Sequence, residues 1–314
     1  MVSRERLLHL AERGTELATA RRVRVVAQLL LVAALVFVLV QLRSIWHDSH
    51  VDLARVDWLA LVGAFVASAV GVAAGGFIWL AILRRLGTET RFRWAGVFFQ
   101  AQLSKYIPGT VWQYAGRAAL GRAHGIPTRS VALSVPVELG ASALAAAATA
   151  PLLLGWWGVP VVVALALAVA VALGRIAHSG SRAVTIARAG TGAFLLYLSA
   201  WSAIGVGFWL CARGLVPVPA HDLPVYAGAY GVAWVAGLVA IYAPGGLGVR
   251  EAVLVALLAG RLGASDALVV AAVSRAILTI VDLVLAGASV VLLGRSRAPA
   301  VLGAPVDPRT SSSR

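Results

Sequence analysis

Long, almost uncharged runs of apolar residues recur along this chain, and they constrain its fold more than any other feature. Residues 25–41 carry no charge, and residues 131–174 carry only Glu138. About 20 consecutive apolar residues suffice for a helix to cross the hydrocarbon core of a bilayer. Only 13% of all residues are charged, roughly half of the share in a soluble domain. The sequence therefore predicts an all-α polytopic membrane protein.

Hydrophobicity and helix-breaking residues divide these runs into spans. Two regions are too short for a whole span: residues 94–106, before Pro108-Gly109, and the segment that follows Pro244 and ends near Arg261. We predict about eight transmembrane helices plus broken or re-entrant half-helices within a domain of residues 23–294. The clear spans are residues 24–45, 58–83, 130–154, 158–174, 190–212, 224–242 and 266–293.

The positive charge is distributed as in a membrane protein. The net charge is +14, but the arginines cluster in short blocks at the ends of the apolar runs, as the positive-inside rule describes. The sequence contains no aromatic stacking platform or basic arm, which argues against nucleic acid as a partner. The only cysteine, Cys211, excludes an internal disulfide and a cysteine-based metal cluster.

The two ends of the chain differ from the domain between them. Residues 1–22 form a basic amphipathic segment with apolar residues on one helical face, which predicts a helix at the membrane interface or in the cytoplasm. The alternative is a fully solvated charged helix. Residues 295–314, rich in Pro, Ser and Ala, predict a disordered tail.

Two similar motifs interrupt the apolar runs. "YIPGTVWQYAGR" (106–117) and "YAPGGLGVREAV" (242–253) share Tyr-x-Pro-Gly 136 residues apart, and their flanks match at offsets of 130 to 137. We predict an internal duplication, with repeat 1 at about 56–155 and repeat 2 at about 189–293. With both termini on the cytoplasmic side, the two repeats have opposite orientations. Inverted repeats with broken helices are typical of transporters, whose site lies near the bilayer midplane.

Each interruption offers a place for an anion. Pro-Gly ends one helix, and the next helix presents free N–H groups and the positive end of its dipole, which attract phosphate. Basic residues lie nearby in both motifs. The alternative is a packing kink without a ligand. The predicted substrate-binding residues are Lys105, Pro108, Gly109, Arg117, Pro244, Gly245, Gly246, Gly248 and Arg250.

Charged residues inside the predicted spans are a second indication of a site. Placing a charge at the bilayer centre costs about 2.5–3.5 kcal/mol on insertion scales, so such groups pair or line a cavity. Glu138, Arg275 and Asp282 are predicted to gate or couple transport, and a structural salt bridge between the halves is the alternative. Glu138 and Arg275 occupy equivalent repeat positions, so they could meet at the midplane. Glu251 is a gating candidate too, although we expect it to cap the helix that starts near Gly248.

Catalytic constellations are missing from the sequence. Only His47 and His50 have the spacing of zinc ligands, and both fall in a predicted surface loop. The chain has no P-loop lysine, and we expect neither a metal nor another cofactor. The glycines of "GVAAGGF" (71–77) fall in mid-span, where helix packing explains them.

Taken together, these motifs resemble the lysylphosphatidylglycerol synthase transmembrane family, also described as flippase-like membrane proteins. The segment from Pro244 to Glu251 is similar to the family's signature, and "QLSKYIPGTVWQYAGR" (102–117) is similar to its first-half motif. Glu138 and Ser274-Arg275 fall at corresponding places. Thr110 and Trp112 depart from the Gly or Asn that the family favours.

The resemblance implies a flippase-like protein of the bacterial cytoplasmic membrane. Its cargo would be a phospholipid or a polyprenyl-linked lipid, moved between leaflets with its phosphate at the helix breaks. Since the chain ends soon after its last apolar run, we expect the family's aminoacyl-transferase domain and its synthase activity to be absent. The alternative is a non-transporting partner of a cell-envelope glycosyltransferase or lipid-modifying enzyme.

Overall fold

The computed structural model describes residues 53–106, 112–176, 182–240, 246 and 248–294. This part of the chain is all-helical and contains no strand. Five of its helical segments are long and apolar enough to cross a membrane, which supports a multi-pass membrane protein. The predicted first span (24–45), the segment 1–22 and the tail 295–314 lie outside the described residues. The count of about eight spans stays a prediction.

The helices begin and end close to the predicted spans. The helices Thr128–Ala147 and Gly158–Ile176 are joined by the 3-10 segment Ala150–Trp157, in which Gly155 has a φ of 69°. Apart from such 3-10 segments, the described helices are α1 Trp58–Arg85, α2 Ala95–Gln102, α3 Trp112–Ala123, α4 Thr128–Ala147, α5 Gly158–Ile176, α6 Arg182–Leu215, α7 Leu223–Val239, α8 Val249–Leu262 and α9 Ala264–Gly294.

Short helices lie on both sides of the first interruption and after the second, as predicted. Helix α2 continues into the 3-10 segment Leu103–Tyr106, and α3 begins after the first Pro-Gly motif. Helix α7 ends at Val239 and α8 begins at Val249, after the second. Gly246 and Gly248 have φ values of 72° and 81°, a left-handed conformation that a side chain would strain. Pro108, Gly109, Pro244 and Gly245 lie outside the described residues.

The helices after the two interruptions start at matching offsets. Helices α3 and α8 begin 137 residues apart, at positions 112 and 249, and α4 and α9 begin 136 residues apart, at positions 128 and 264. These offsets equal those of the sequence motifs. The inverted relation of the two halves stays a prediction.

Helices α1 and α6 pack along each other more extensively than any other pair of described helices. Glycines allow this close approach: a Cβ on Gly71 would lie 2.8 Å from the backbone oxygen of Ala200, and one on Gly207 would lie 3.0 Å from that of Ala64. Without a strong hydrophobic force between helices in lipid, close backbone packing supplies much of the association energy. The mid-span glycines therefore serve helix packing, as their position in the sequence predicts.

Alanine substitutions at two helical glycines test this packing, because they are expected to change the stability of the protein in opposite directions. A Cβ on Gly207 would also lie 2.5 Å from Ser68 Oγ, whereas one on Gly287 in α9 meets nothing within 4 Å. We expect Gly207→Ala to destabilise the protein by about 1–3 kcal/mol through overpacking. Gly287→Ala is expected to be neutral or to stabilise it by up to about 1 kcal/mol, because alanine favours the helix. Thermal unfolding in detergent measures both, and equal effects would contradict the packing role.

Candidate functional site

A cavity of about 190 Å³ with charged side chains in its walls lies within the bundle. Its walls come from α1, α2, α4, α6, α7, α8, α9 and the segment Leu103–Tyr106, and thus from both predicted repeats. Gly71, which lines it, is the 14th of the 28 residues of α1, so the cavity lies near the middle of that helix. Six of the predicted site residues line it: Lys105, Glu138, Arg250, Glu251, Arg275 and Asp282.

The first group of charges joins the first interruption to α9. Lys105 Nζ lies 2.6 Å from Asp282 Oδ2, and the Tyr106 hydroxyl donates to the same oxygen at 2.7 Å. Asp282 is only 2% exposed, and its Oδ1 is buried without a hydrogen bond. The segment just before the first Pro-Gly motif is therefore held against the last long helix by one carboxylate.

The second group lies after the second interruption. Arg275 Nη1 donates to Glu251 Oε1 at 2.7 Å, and the N–H of Gly248 donates to Glu251 Oε2, also at 2.7 Å. Because Gly248 precedes α8, Glu251 caps this helix and compensates the positive end of its dipole. The predicted cap is confirmed, and the same carboxylate also neutralises Arg275.

The third group is buried between α3 and α4. Arg117 Nη1 donates to Glu138 Oε2, and the guanidinium lies over the rings of Phe98, Trp79 and Tyr114 at 4.4, 5.2 and 5.7 Å. Arg117 is 1% exposed and does not line the cavity. Glu138 and Arg275 both face the cavity but do not pair with each other; each pairs with a residue of its own half.

Arg250 differs from the other basic residues. Among the residues that the structure describes, it makes no ion pair and no hydrogen bond, and its Nε is buried. The guanidinium carbon lies 5.8 Å from the Trp234 ring centroid. Gly237 and Gly246 make room for this side chain, since a Cβ on either glycine would lie within 2.8 Å of Arg250 Nε. The positive charge is thus placed in the cavity wall without a counterion among the residues that the structure describes.

Arg250 is half-buried, with its Nε fully buried, and desolvation of a charge is unfavourable unless an opposite charge compensates it. The three carboxylates at the cavity are already matched, by Lys105, Arg117 and Arg275. Among the described residues at these three pairs and the cavity wall, one positive charge remains, on Arg250. The arrangement is therefore suited to bind an anion, and a phosphate or carboxylate group can accept hydrogen bonds from a guanidinium in bidentate geometry.

Several uncharged polar residues at the cavity were not predicted as site residues from the sequence, Tyr197, Tyr230 and Gln102 among them. Tyr197 and Tyr230, each 7% exposed, and the half-buried Gln102 line the cavity. Gln102, an amide in an apolar helix just before the first motif, could have been noticed. Tyrosine is a usual residue of membrane helices, mainly at their interfacial ends, and nothing else in the sequence distinguishes Tyr197 or Tyr230.

The remaining predicted residues either lie beside the cavity or are not among the residues that the structure describes. Gly246 and Gly248 shape the entry to α8, and the four Pro-Gly residues of the two interruptions are not described. Within the described ranges, no group of three His, Cys, Asp or Glu side chains could hold a metal ion. No model of a known protein family matches this chain, and no curated protein matches it significantly.

Proposed function

We propose that this protein moves a phospholipid or a polyprenyl-linked lipid between the leaflets of the bacterial cytoplasmic membrane. The cavity would hold the headgroup while the acyl or prenyl chains stay in the bilayer. The observation that carries this proposal is Arg250, a cation in the wall of a mid-bundle cavity without a counterion among the described residues. A lipid phosphate would supply that counterion.

The size of the cavity supports a headgroup as the bound part. A volume of about 190 Å³ corresponds to about six water molecules at their share of liquid volume. A phosphate with a small substituent can fill such a space, whereas two lipid tails cannot. Lipid tails need no polar pocket, because the bilayer itself solvates them.

The proposed mechanism uses two interruptions in inverted repeats. Alternating access commonly proceeds by motion of one repeat against the other around a fixed site. Lys105 and Tyr106 join the first interruption to Asp282 of the second half, while Glu251 and Arg275 join two helices within the second half. We propose that the contact with Asp282 breaks when one half moves, and that the Glu251–Arg275 pair moves as a unit. Both chain termini would lie in the cytoplasm.

Proteoliposomes test the proposal directly. Purified full-length protein is reconstituted with a fluorescent anionic phospholipid, and dithionite then quenches the probe in the outer leaflet. We expect the protein to raise the fraction of quenched probe above the half that protein-free vesicles show. If a correctly folded protein leaves this fraction unchanged for anionic phospholipids and polyprenyl phosphates alike, the transport proposal fails. Co-purification of an envelope glycosyltransferase or a lipid-modifying enzyme in that case would favour the non-transporting alternative.

A further inference from the structure

We infer that Asp282 exchanges its partner Lys105 for a proton when the cavity binds an anion, and that this exchange couples lipid movement to the proton gradient. The inference rests on the proposed function and supplies its energy source. In the structure, Lys105 pairs with Asp282. In the inferred cycle, Lys105 turns to the phosphate of the bound lipid, and a proton takes the place of the lysine at Asp282.

The pair of Lys105 and Asp282 differs from the other two ion pairs of the site. Those two pairs each lie within one predicted repeat, and both use an arginine. Lys105 and Asp282 belong to different predicted repeats. Of these three pairs, it is therefore this one that a motion of one repeat against the other separates.

The two partners differ in their access to water. The side chain of Lys105 is 31% exposed and that of Asp282 only 1%. Water can solvate the ammonium group after separation, whereas the carboxylate stays buried on α9. Among the described residues, Oδ1 of Asp282 has no hydrogen bond, and Oδ2 accepts one from the Tyr106 hydroxyl. A buried carboxylate without a counterion is strongly unfavourable, and uptake of a proton removes its charge.

The step at Asp282 is a proton transfer without electron transfer. Hydronium gives its proton to Oδ1, an O–H bond forms there, and water is left. On the opposite side of the membrane this O–H bond breaks, the proton returns to water, and the carboxylate pairs again with Lys105. A singly charged phosphodiester and a proton have opposite charges. The loaded and the empty protein therefore have the same net charge.

Phosphate and proton binding reinforce each other, because each competes with the same ion pair. Lys105 and Arg250 both line the cavity, so a phosphate in it can accept hydrogen bonds from both. A phosphate that takes Lys105 away from Asp282 favours protonation of the carboxylate. Coupling between two binding sites is reciprocal, so protonation of Asp282 strengthens phosphate binding by the same factor. Such positive coupling is what moves two ligands in the same direction.

The other titratable and charged side chains of the cavity keep their charge state near neutral pH. Besides Lys105, they are Tyr106, Glu138, Tyr197, Tyr230, Arg250, Glu251 and Arg275. Arginine and tyrosine do not titrate near neutral pH, and both glutamates have arginine partners. The described residues of α1 and α2, which also pack against α9, contribute no charge to the cavity wall. Asp282 is therefore the carboxylate of the cavity that a proton neutralises.

Calorimetric titration of the full-length protein in detergent tests the proton uptake without requiring transport. The probe is dihexanoyl phosphatidylglycerol, titrated at neutral pH in two buffers of different ionisation enthalpy. The difference between the two observed binding enthalpies gives the number of protons taken up per bound lipid. We expect an uptake of about half to one proton in the wild type. Absence of uptake in the wild type would overturn the inference.

Two variants assign this uptake to Asp282. Asp282→Asn keeps the shape of the side chain and should abolish the uptake. Lys105→Gln keeps the carboxylate but removes its cation, so Asp282 is protonated before the lipid binds and the uptake should disappear here too. Asp222→Asn, outside the cavity lining, is the matched control and should keep the wild-type uptake. Wild-type uptake in Asp282→Asn or in Lys105→Gln would contradict the exchange.

A pH gradient across proteoliposomes tests the coupling to transport. The vesicles consist of phosphatidylcholine with a trace of fluorescent phosphatidylglycerol, and valinomycin with equal K⁺ on both sides keeps the membrane potential at zero. With one proton per lipid, an interior more acidic by one pH unit sustains about a tenfold lipid ratio between the leaflets, because both ratios correspond to the same free energy. The fast phase of dithionite quenching should then report about nine-tenths of the probe in the outer leaflet. Asp282→Asn should leave the probe equally distributed.

Transport and proton coupling can fail separately. Rapid lipid movement with an equal distribution despite the gradient, and without proton uptake on binding, would support transport and refute the inference. Proton uptake on binding in a protein that moves no lipid under any gradient would refute the transport proposal and support the exchange at Asp282. A response to a sodium gradient instead of the proton gradient would also refute the inference.

Discussion

Replacing Arg250 with methionine is expected to lower the transbilayer movement of an anionic phospholipid by about ten- to a hundredfold, since hydrogen bonds to a charged group contribute about 1.5–3 kcal/mol. Methionine keeps the apolar stem beside Gly237 and Gly246 and removes only the charge and its donors. The measurement is the dithionite assay in proteoliposomes. Arg261→Met is the matched control, because Arg261 lies at the other end of α8 with 44% of its side chain exposed.

The same variant should leave the stability of the ligand-free protein unchanged or raise it. Arg250 has no counterion among the described residues, so removing its charge also removes a desolvation cost. A structural arginine would behave in the opposite way, and its loss would lower the thermal midpoint. Unchanged lipid movement in Arg250→Met, or a large loss of stability without added lipid, would contradict the role of Arg250 as an anion-binding residue.

Replacing Glu138 with leucine is expected to destabilise the protein by about 3–5 kcal/mol, because it leaves the buried charge of Arg117 uncompensated. Arg117 is only 1% exposed, so its charge is poorly solvated once Glu138 is removed. Thermal unfolding in detergent measures the effect. Glu89→Gln changes an exposed carboxylate and should have little effect.

The double variant Arg117→Met/Glu138→Leu should recover most of that stability. A buried ion pair replaced as a whole by apolar side chains of similar volume is often as stable as the original. If the double variant is as unstable as Glu138→Leu, then Glu138 contributes through contacts other than this pair. The rate of lipid movement in proteoliposomes with the double variant then shows whether Glu138 has a role besides neutralising Arg117.

Sequence reasoning found the charged residues of the site but not their partners. Glu138, Arg275 and Asp282 are conspicuous because a charge inside an apolar span is costly, and that argument needs no structure. The expected meeting of Glu138 and Arg275 does not occur as a pair. The charge partners are set by the rotation of each helix about its own axis, which a repeat offset does not specify. Arg117 was grouped with the phosphate ligands, yet it lies behind Glu138, under three aromatic rings.

The sequence by itself determined that this protein lies in a lipid bilayer and that it is helical. Uncharged apolar runs of this length are stable as helices in lipid. It also located the helix ends, because proline, glycine and clustered arginines act over a few residues along the chain. Only the tertiary structure decided that, among the described residues of the cavity, three carboxylates pair with cations and Arg250 does not pair with a carboxylate. Pairing of this kind depends on distances of a few ångströms between helices far apart in sequence, and the hydrophobic pattern of each helix leaves those distances open.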